Sequence, residues 1–141
     1  MKTYGFFGCA IAVALWASCS RDNIETVRAQ VDQLEQDLLP VPGTPREEIE
    51  QLWGRPLETR GESFSPGTGD AVHLQACSYL LIQGYWLYVS YDQEMRCFHA
   101  FFGFDDPRVP AVRLGMNPYD SLEHSRSRLQ FLRQIKTRRD Q

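Results

Sequence analysis

Three runs of strand-forming residues, Cys77–Gln83, Tyr85–Tyr91 and Met95–Phe102, follow one another with almost no chain between them. They are rich in Tyr, Trp, Phe, Val and Leu, residues that suit a pleated, half-buried surface. Gln83-Gly84 and Asp92-Gln93-Glu94 are turn signals at the two joints. A parallel pair needs a crossover of a dozen or more residues, so such joints permit only antiparallel neighbours. The spacing predicts a meander with Tyr85–Tyr91 at its centre.

Side chains alternate along a strand, so choosing a register assigns the faces. Pairing Leu80 with Leu87 and Val89 with Phe98 gathers Leu80, Ile82, Tyr85, Leu87, Val89, Phe98, Ala100 and Phe102 into a core face. The other face then carries Cys77, Tyr79, Leu81, Trp86, Tyr88, Cys97, His99 and Phe101. A face open to water is expected to be polar, and this one is aromatic. Either the first or last helix covers it, or a partner does.

Helical periodicity flanks the meander. Ile24, Val27, Val31, Leu34 and Leu38 recur at spacings of three and four, with Asp22 and Glu25 resembling a capping box. This predicts a helix that is either a stalk or docked on the domain, ended by Leu39-Pro40-Val41-Pro42-Gly43. A second helix is expected behind Thr44 as N-cap, with Pro45 in its first turn and Glu47 completing the box. Ile49, Leu52 and Trp53 form its apolar side; Gly54 and Pro56 stop it. Leu57–Gly69 is polar and rich in Gly and Pro, and is read as a loop. After a Pro-punctuated connection from Asp105 to Pro118, a basic helix is expected from Ser121 to about Thr137, with Asp120 and Glu123 at its start and Leu122, Leu129, Leu132 and Ile135 inward. The expectation is a two-layer α+β fold, short N-terminal helices packed on a three-stranded antiparallel meander, with an added C-terminal helix.

The start of the chain addresses it. Met1-Lys2 precedes an uncharged, largely apolar run from Tyr4 to Trp16, shorter than the roughly 20 residues of a membrane span and suited to a signal peptide. Ala17-Ser18-Cys19 resembles a bacterial lipobox, although Trp16 stands where Leu is usual. The reading is a lipoprotein signal over residues 1–18 with Cys19 lipidated; a plain cleaved signal is the alternative. Several acyl chains, at about 0.8 kcal/mol per buried methylene, would hold a small domain at a bilayer. Ser20 rather than Asp resembles outer-membrane sorting, with a soluble periplasmic or secreted protein as runner-up. The whole chain carries a formal charge of −3, too little to suggest a polyanion partner, so no nucleic acid is expected.

The stretch Gly43-Thr44-Pro45-Arg46-Glu47-Glu48-Ile49-Glu50-Gln51-Leu52-Trp53-Gly54-Arg55-Pro56 resembles the opening of the SmpA/OmlA (BamE-like) family of small outer-membrane lipoproteins. Gly43, Ile49, Gly54 and Pro56 fall at that family's spacing; the strand Cys77–Ile82, the run Trp86–Asp92 and the lipobox-like start continue the likeness. The resemblance implies a two-layer α+β module over residues 43–104, after a heptad-like tether at 19–42 and before the connection and basic helix of 105–141. It also implies the periplasmic face of the outer membrane. The best-known members are accessory subunits of the machinery that inserts β-barrel proteins, and others serve envelope integrity.

Chemistry is sparse. Export permits disulfides, and with Cys9 in the signal and Cys19 lipidated, Cys77 and Cys97 are left. In the register above both align with Ser90 across the central strand, about 9–10 Å apart. A disulfide needs under about 7 Å, so it forms only if Cys77 curls across. Two packed thiols are the alternative. A third reading is zinc held by His73, Cys77, Cys97 and His99, whose inventory is right and whose spacing matches no common template. No phosphate loop, nucleophile elbow or zincin helix occurs, Asp105-Asp106 reads as a turn, and His124 sits in the first turn of the last helix.

No cofactor and no enzymatic activity are therefore expected. The expectation is a non-catalytic envelope lipoprotein that binds another envelope protein, with Trp86, Tyr88, Phe101 and Trp53 as candidate interface residues. Tyr and Trp rings bring contact area and a polar handle at low entropy cost. The alternative is a periplasmic carrier of a small ligand or zinc, using the His/Cys face.

Overall fold

Strand pairing and helix packing are seen in a computed structural model that describes residues 23–67, 69–82, 84–104 and 121–141. The signal segment, Cys19 and the Asp105–Pro118 connection lie outside those residues. In chain order come α1 (Ile24–Leu38), α2 (Arg46–Trp53), β1 (Glu58–Phe64), β2 (Val72–Ile82), β3 (Tyr85–Tyr91), β4 (Cys97–Phe104) and α3 (Leu122–Arg139). The fold is α+β, with the strands in sequence order and every neighbour antiparallel.

The meander is present and β3 has the predicted bounds, but the sheet has four strands rather than three. Glu58–Phe64, expected as loop, pairs with the first half of a β2 that begins at Val72 instead of Cys77. Every residue of β1 is exposed, so no apolar alternation marks it in the sequence. Backbone pairing alone defines this edge strand.

Register is where expectation and structure part. Ile82 lies opposite Tyr85, as the predicted pairing requires at that joint, but a bulge between Leu80 and Ile82 then shifts the ladder by one residue. Beyond it Tyr79 faces Leu87 and Leu80 faces Trp86. A one-residue shift exchanges the faces of a strand. Cys77 and Tyr79 are therefore buried with Leu87 and Val89, whereas Leu80, expected inside, is exposed. On the other side Val89 pairs with Ala100 rather than Phe98, a shift of two that preserves the faces. A second bulge between Ser90 and Tyr91 leaves Phe98 unpaired and turns Cys97 inward.

All three helices pack on the face that carries Cys77, Tyr79, Leu87, Val89, Tyr91 and Ala100. α1 contributes Val27, Val31 and Leu38, α2 contributes Ile49 and Trp53, and α3 contributes Leu129, Leu132 and Ile135. The heptad-like helix is thus docked, not a free stalk. Its cap is Asn23, whose Oδ1 accepts from the Thr26 amide at 2.9 Å, in place of the expected Asp22–Glu25 box. Thr44 does not cap α2 either. Its hydroxyl donates to the Val41 carbonyl at 2.8 Å, and Pro45 takes the N-cap position. The Thr44 carbonyl and Gly43 amide instead bond the backbone of Cys97, covering the outer edge of β4 there. Gly43, at φ 92°, adopts a conformation that disfavours side chains. The α3 N-cap is Ser121, one residue after the expected Asp120.

Two polar clusters fasten this helical layer. Under α2, Arg46 bonds Glu50 and Gln75 at 2.7 Å each and lies over the Tyr91 ring, while the Tyr79 and Tyr91 hydroxyls meet at 2.6 Å. Between α1 and α3, Glu35 accepts from the Tyr85 hydroxyl and from Arg128 at 2.8 Å. The Arg128 guanidinium covers the rings of Tyr85 and Phe104.

Burial pushes the Tyr91 hydroxyl up to about 12, and Tyr79 and Tyr85 further, again mainly through burial. A pKa raised in the folded state gives stability that is complete below the unfolded value near 10 and is lost as pH rises through the folded one. Stability should therefore fall from about pH 10 upward, and tyrosinate absorbance from these three side chains should appear together with loss of circular dichroism. Their ionisation in a protein still fully folded would contradict the buried arrangement.

Candidate interaction surface

The face opposite the helices is built from alternate residues of all four strands. Its centre is a row of rings: Trp86 stacks on Tyr88 at 6.3 Å, Tyr88 on Phe101 at 4.9 Å, and His99 tilts against Phe101 at 5.7 Å. The strand periodicity puts Trp86, Tyr88 and Phe101 on one face because β3 has no bulge between positions 86 and 90 and β4 pairs with it evenly there. Gly103 completes the row, since its missing side chain leaves the Tyr88 ring 3.4 Å from where a Cβ would stand.

Around the rings the surface remains apolar. Phe64, Phe101, Leu80 and Phe98 are 50%, 49%, 48% and 46% exposed, too open for core residues. A shallow depression of about 400 Å³ lies between Phe64, Leu74, Phe98, His99, Ser90 and Glu62. Trp86 is half-buried, and its indole Nε1 is buried with no hydrogen-bond acceptor among the described residues. A buried donor left unpaired costs about 1–3 kcal/mol. No helix among the described residues lies over this face.

The fourth candidate, Trp53, is on the opposite side. It is 9% exposed, set edge-on against Phe102 at 5.5 Å and beside Phe131 at 6.4 Å. Trp53 is part of the packing between α2, α3 and the sheet. Exposed Phe64, Leu80 and Phe98 join the surface in its place. No alternation marks Phe64, which sits in the strand expected as loop, and the predicted register turns the other two inward.

The cysteine and histidine candidates disperse. Cys77 and Cys97 are both free and buried, on the core face. Cys77 lies opposite Val89 and Cys97 opposite Tyr91, so β3 separates them and they are offset along it. Burial raises the Cys97 thiol above its ordinary value, with Asp92 adding to the rise. Cys77 lies 3.5 Å from the Thr59 hydroxyl.

His73 is exposed beside Ser63 at 3.1 Å, near the far end of β2. The expected sharing of a face by Cys97 and His99 is undone by the bulge: they oppose Tyr91 and Ser90, whose side chains point in opposite directions. Among the described residues no group of three or more His, Cys, Asp or Glu could hold a metal ion. His124 bonds the Ser121 hydroxyl at its helix start.

No helix of the described residues is long and apolar enough to cross a membrane. The chain matches no protein-family model, no curated protein and no solved structure.

Proposed function

We propose that this chain is a non-catalytic bacterial envelope lipoprotein, anchored through Cys19 at the periplasmic face of the outer membrane, whose aromatic sheet face docks another envelope protein. One observation carries the reading. Half-exposed Phe64, Leu80, Phe98 and Phe101 share with the Trp86–Tyr88 ring pair the sheet face that the helices leave bare. A partner that buried these rings would gain aromatic contact area. The SmpA/OmlA resemblance favours a role as an accessory to outer-membrane assembly or envelope integrity.

Two experiments test the reading separately. Replacing Phe101 by a photoreactive phenylalanine should give one dominant protein adduct in intact envelopes, whereas the same group at exposed Glu123 on α3 should not. Equal adducts at both sites would remove the sheet face as the docking surface. For the anchor, Cys19→Ser should abolish incorporation of labelled palmitate and release the protein from the membrane fraction. Palmitate incorporation undiminished in the variant would end the lipoprotein reading and leave the docking reading standing.

A further inference from the structure

The helical side of the molecule carries a second concave surface, unrelated to the aromatic sheet face. One cavity, about 690 Å³, follows the α1–α3 seam over Ala29, Leu34 and Leu129, with Arg133 and Lys136 along its α3 rim. Another, about 530 Å³, lies between the end of α1, α2 and the last turn of α3, with exposed Val41 and half-buried Leu39 and Leu52 as its apolar surface and Arg138 and Arg139 at its edge. Asp37 lines both, so the two meet there.

Charge around this bent groove is unequal. Four bases from α3 line it, against two acids, Asp37 and Glu48. Arg133 is engaged with Gln30 at 3.3 Å, and Arg139 with the Asp37 carbonyl at 2.6 Å and with Asp140 at 3.6 Å. Lys136 and Arg138 make no ion pair among the described residues.

We propose that this groove receives an amphipathic helical segment of a partner protein, with acidic residues flanking its apolar stripe. An apolar floor between helices is the surface that takes such a segment, through side chains spaced at i, i+3, i+4 and i+7. The surplus of bases on one rim selects acidic flanks and steers their approach. A protein segment fits better than an anionic bilayer, because Asp37 and Glu48 also line the groove and would be repelled by a uniformly negative surface. The inference is independent of the sheet-face reading, since the two surfaces lie on opposite sides of the sheet.

The full chain, labelled with nitrogen-15, would be titrated with a synthetic peptide bearing Leu at those four spacings and Glu beside them, and with a counterpart bearing Lys in place of Glu. The Glu peptide should shift the amides of Ala29, Gln33 and Leu52 and bind at least about tenfold more tightly than the Lys peptide. Lys136→Glu with Arg138→Glu should invert that preference. The milder pair Lys136→Gln with Arg138→Gln should reduce it, so a folding defect in the first variant leaves the test intact. Equal binding of the two peptides, shifts confined to Trp86, Tyr88 and Phe101, or tighter binding to phosphatidylglycerol vesicles than to the Glu peptide would each overturn the proposal.

Discussion

Leu87→Ala is expected to lower the stability of the protein by about 2–5 kcal/mol, a large part of the roughly 5–15 kcal/mol that holds a domain together. Leu87 is 0% exposed at the middle of β3, between Tyr79 and Phe102, where the sheet meets the helices. Neighbouring strands and the helical layer fix its surroundings, so little can move in to fill the space. A midpoint lowered on the order of 10 °C is the expected reading. The adjacent residue makes the comparison informative. Trp86→Ala removes a larger side chain from the other face, where no helix among the described residues covers it, and should cost well under half as much while eliminating the Phe101 crosslink. An equal loss of stability in both variants would mean that Trp86 is packed as core, and the docking surface would have to lie elsewhere.

Glu35→Ala should be nearly as damaging, at about 3 kcal/mol by chemical denaturation. Glu35 and Arg128 are 18% and 12% exposed, so their 2.8 Å pair is largely withdrawn from solvent. Removing the carboxylate strands the guanidinium against Tyr85 and Phe104 and takes the acceptor from the Tyr85 hydroxyl. The cost arises from leaving a charge uncompensated more than from losing an attraction. It follows that the double variant Glu35→Leu with Arg128→Met should recover much of the loss. Strict additivity of the two single variants would show that the cluster does not act as a unit.

Much of this architecture was legible because periodicity reports burial. The heptad-like spacing of Val27, Val31 and Leu38 marks the buried side of α1, and Leu129, Leu132 and Ile135 mark that of α3. β3 alternates without interruption between Tyr85 and Tyr91, and that pattern defines its bounds to the residue. The misses have physical causes. β1 buries nothing, so only its ladder with β2 reveals it. Bulges near Leu81 and at Phe98 depend on local twist, leave no compositional mark, and exchange faces for whatever lies beyond them.

That is why Cys77 and Tyr79 moved inward and Leu80 moved out. It also explains the mixed fate of the site residues. Trp86, Tyr88 and Phe101 lie within an unbulged stretch and share a face as expected, whereas Cys97 and His99 straddle a bulge and part. Ser125 is fully buried in α3, a small polar residue in an inward position that a hydrophobic pattern passes over.

The pairing of α1 with α3 also bears on when the protein can fold. The first helix of the described chain packs against its last, and Glu35 on one is held by Arg128 on the other. Whether it leaves a ribosome or an export channel, the chain emerges N-terminal side first, so the apolar stripe of Val27, Val31 and Leu38 waits for its α3 cover until almost all of the described residues have emerged. The meander can form from neighbouring segments, but the helical layer must wait for contacts between distant parts of the sequence, which are slow to close. A helix that emerges early is therefore among the last elements to be secured, and until α3 follows it remains a substrate for whatever shields exposed apolar helices.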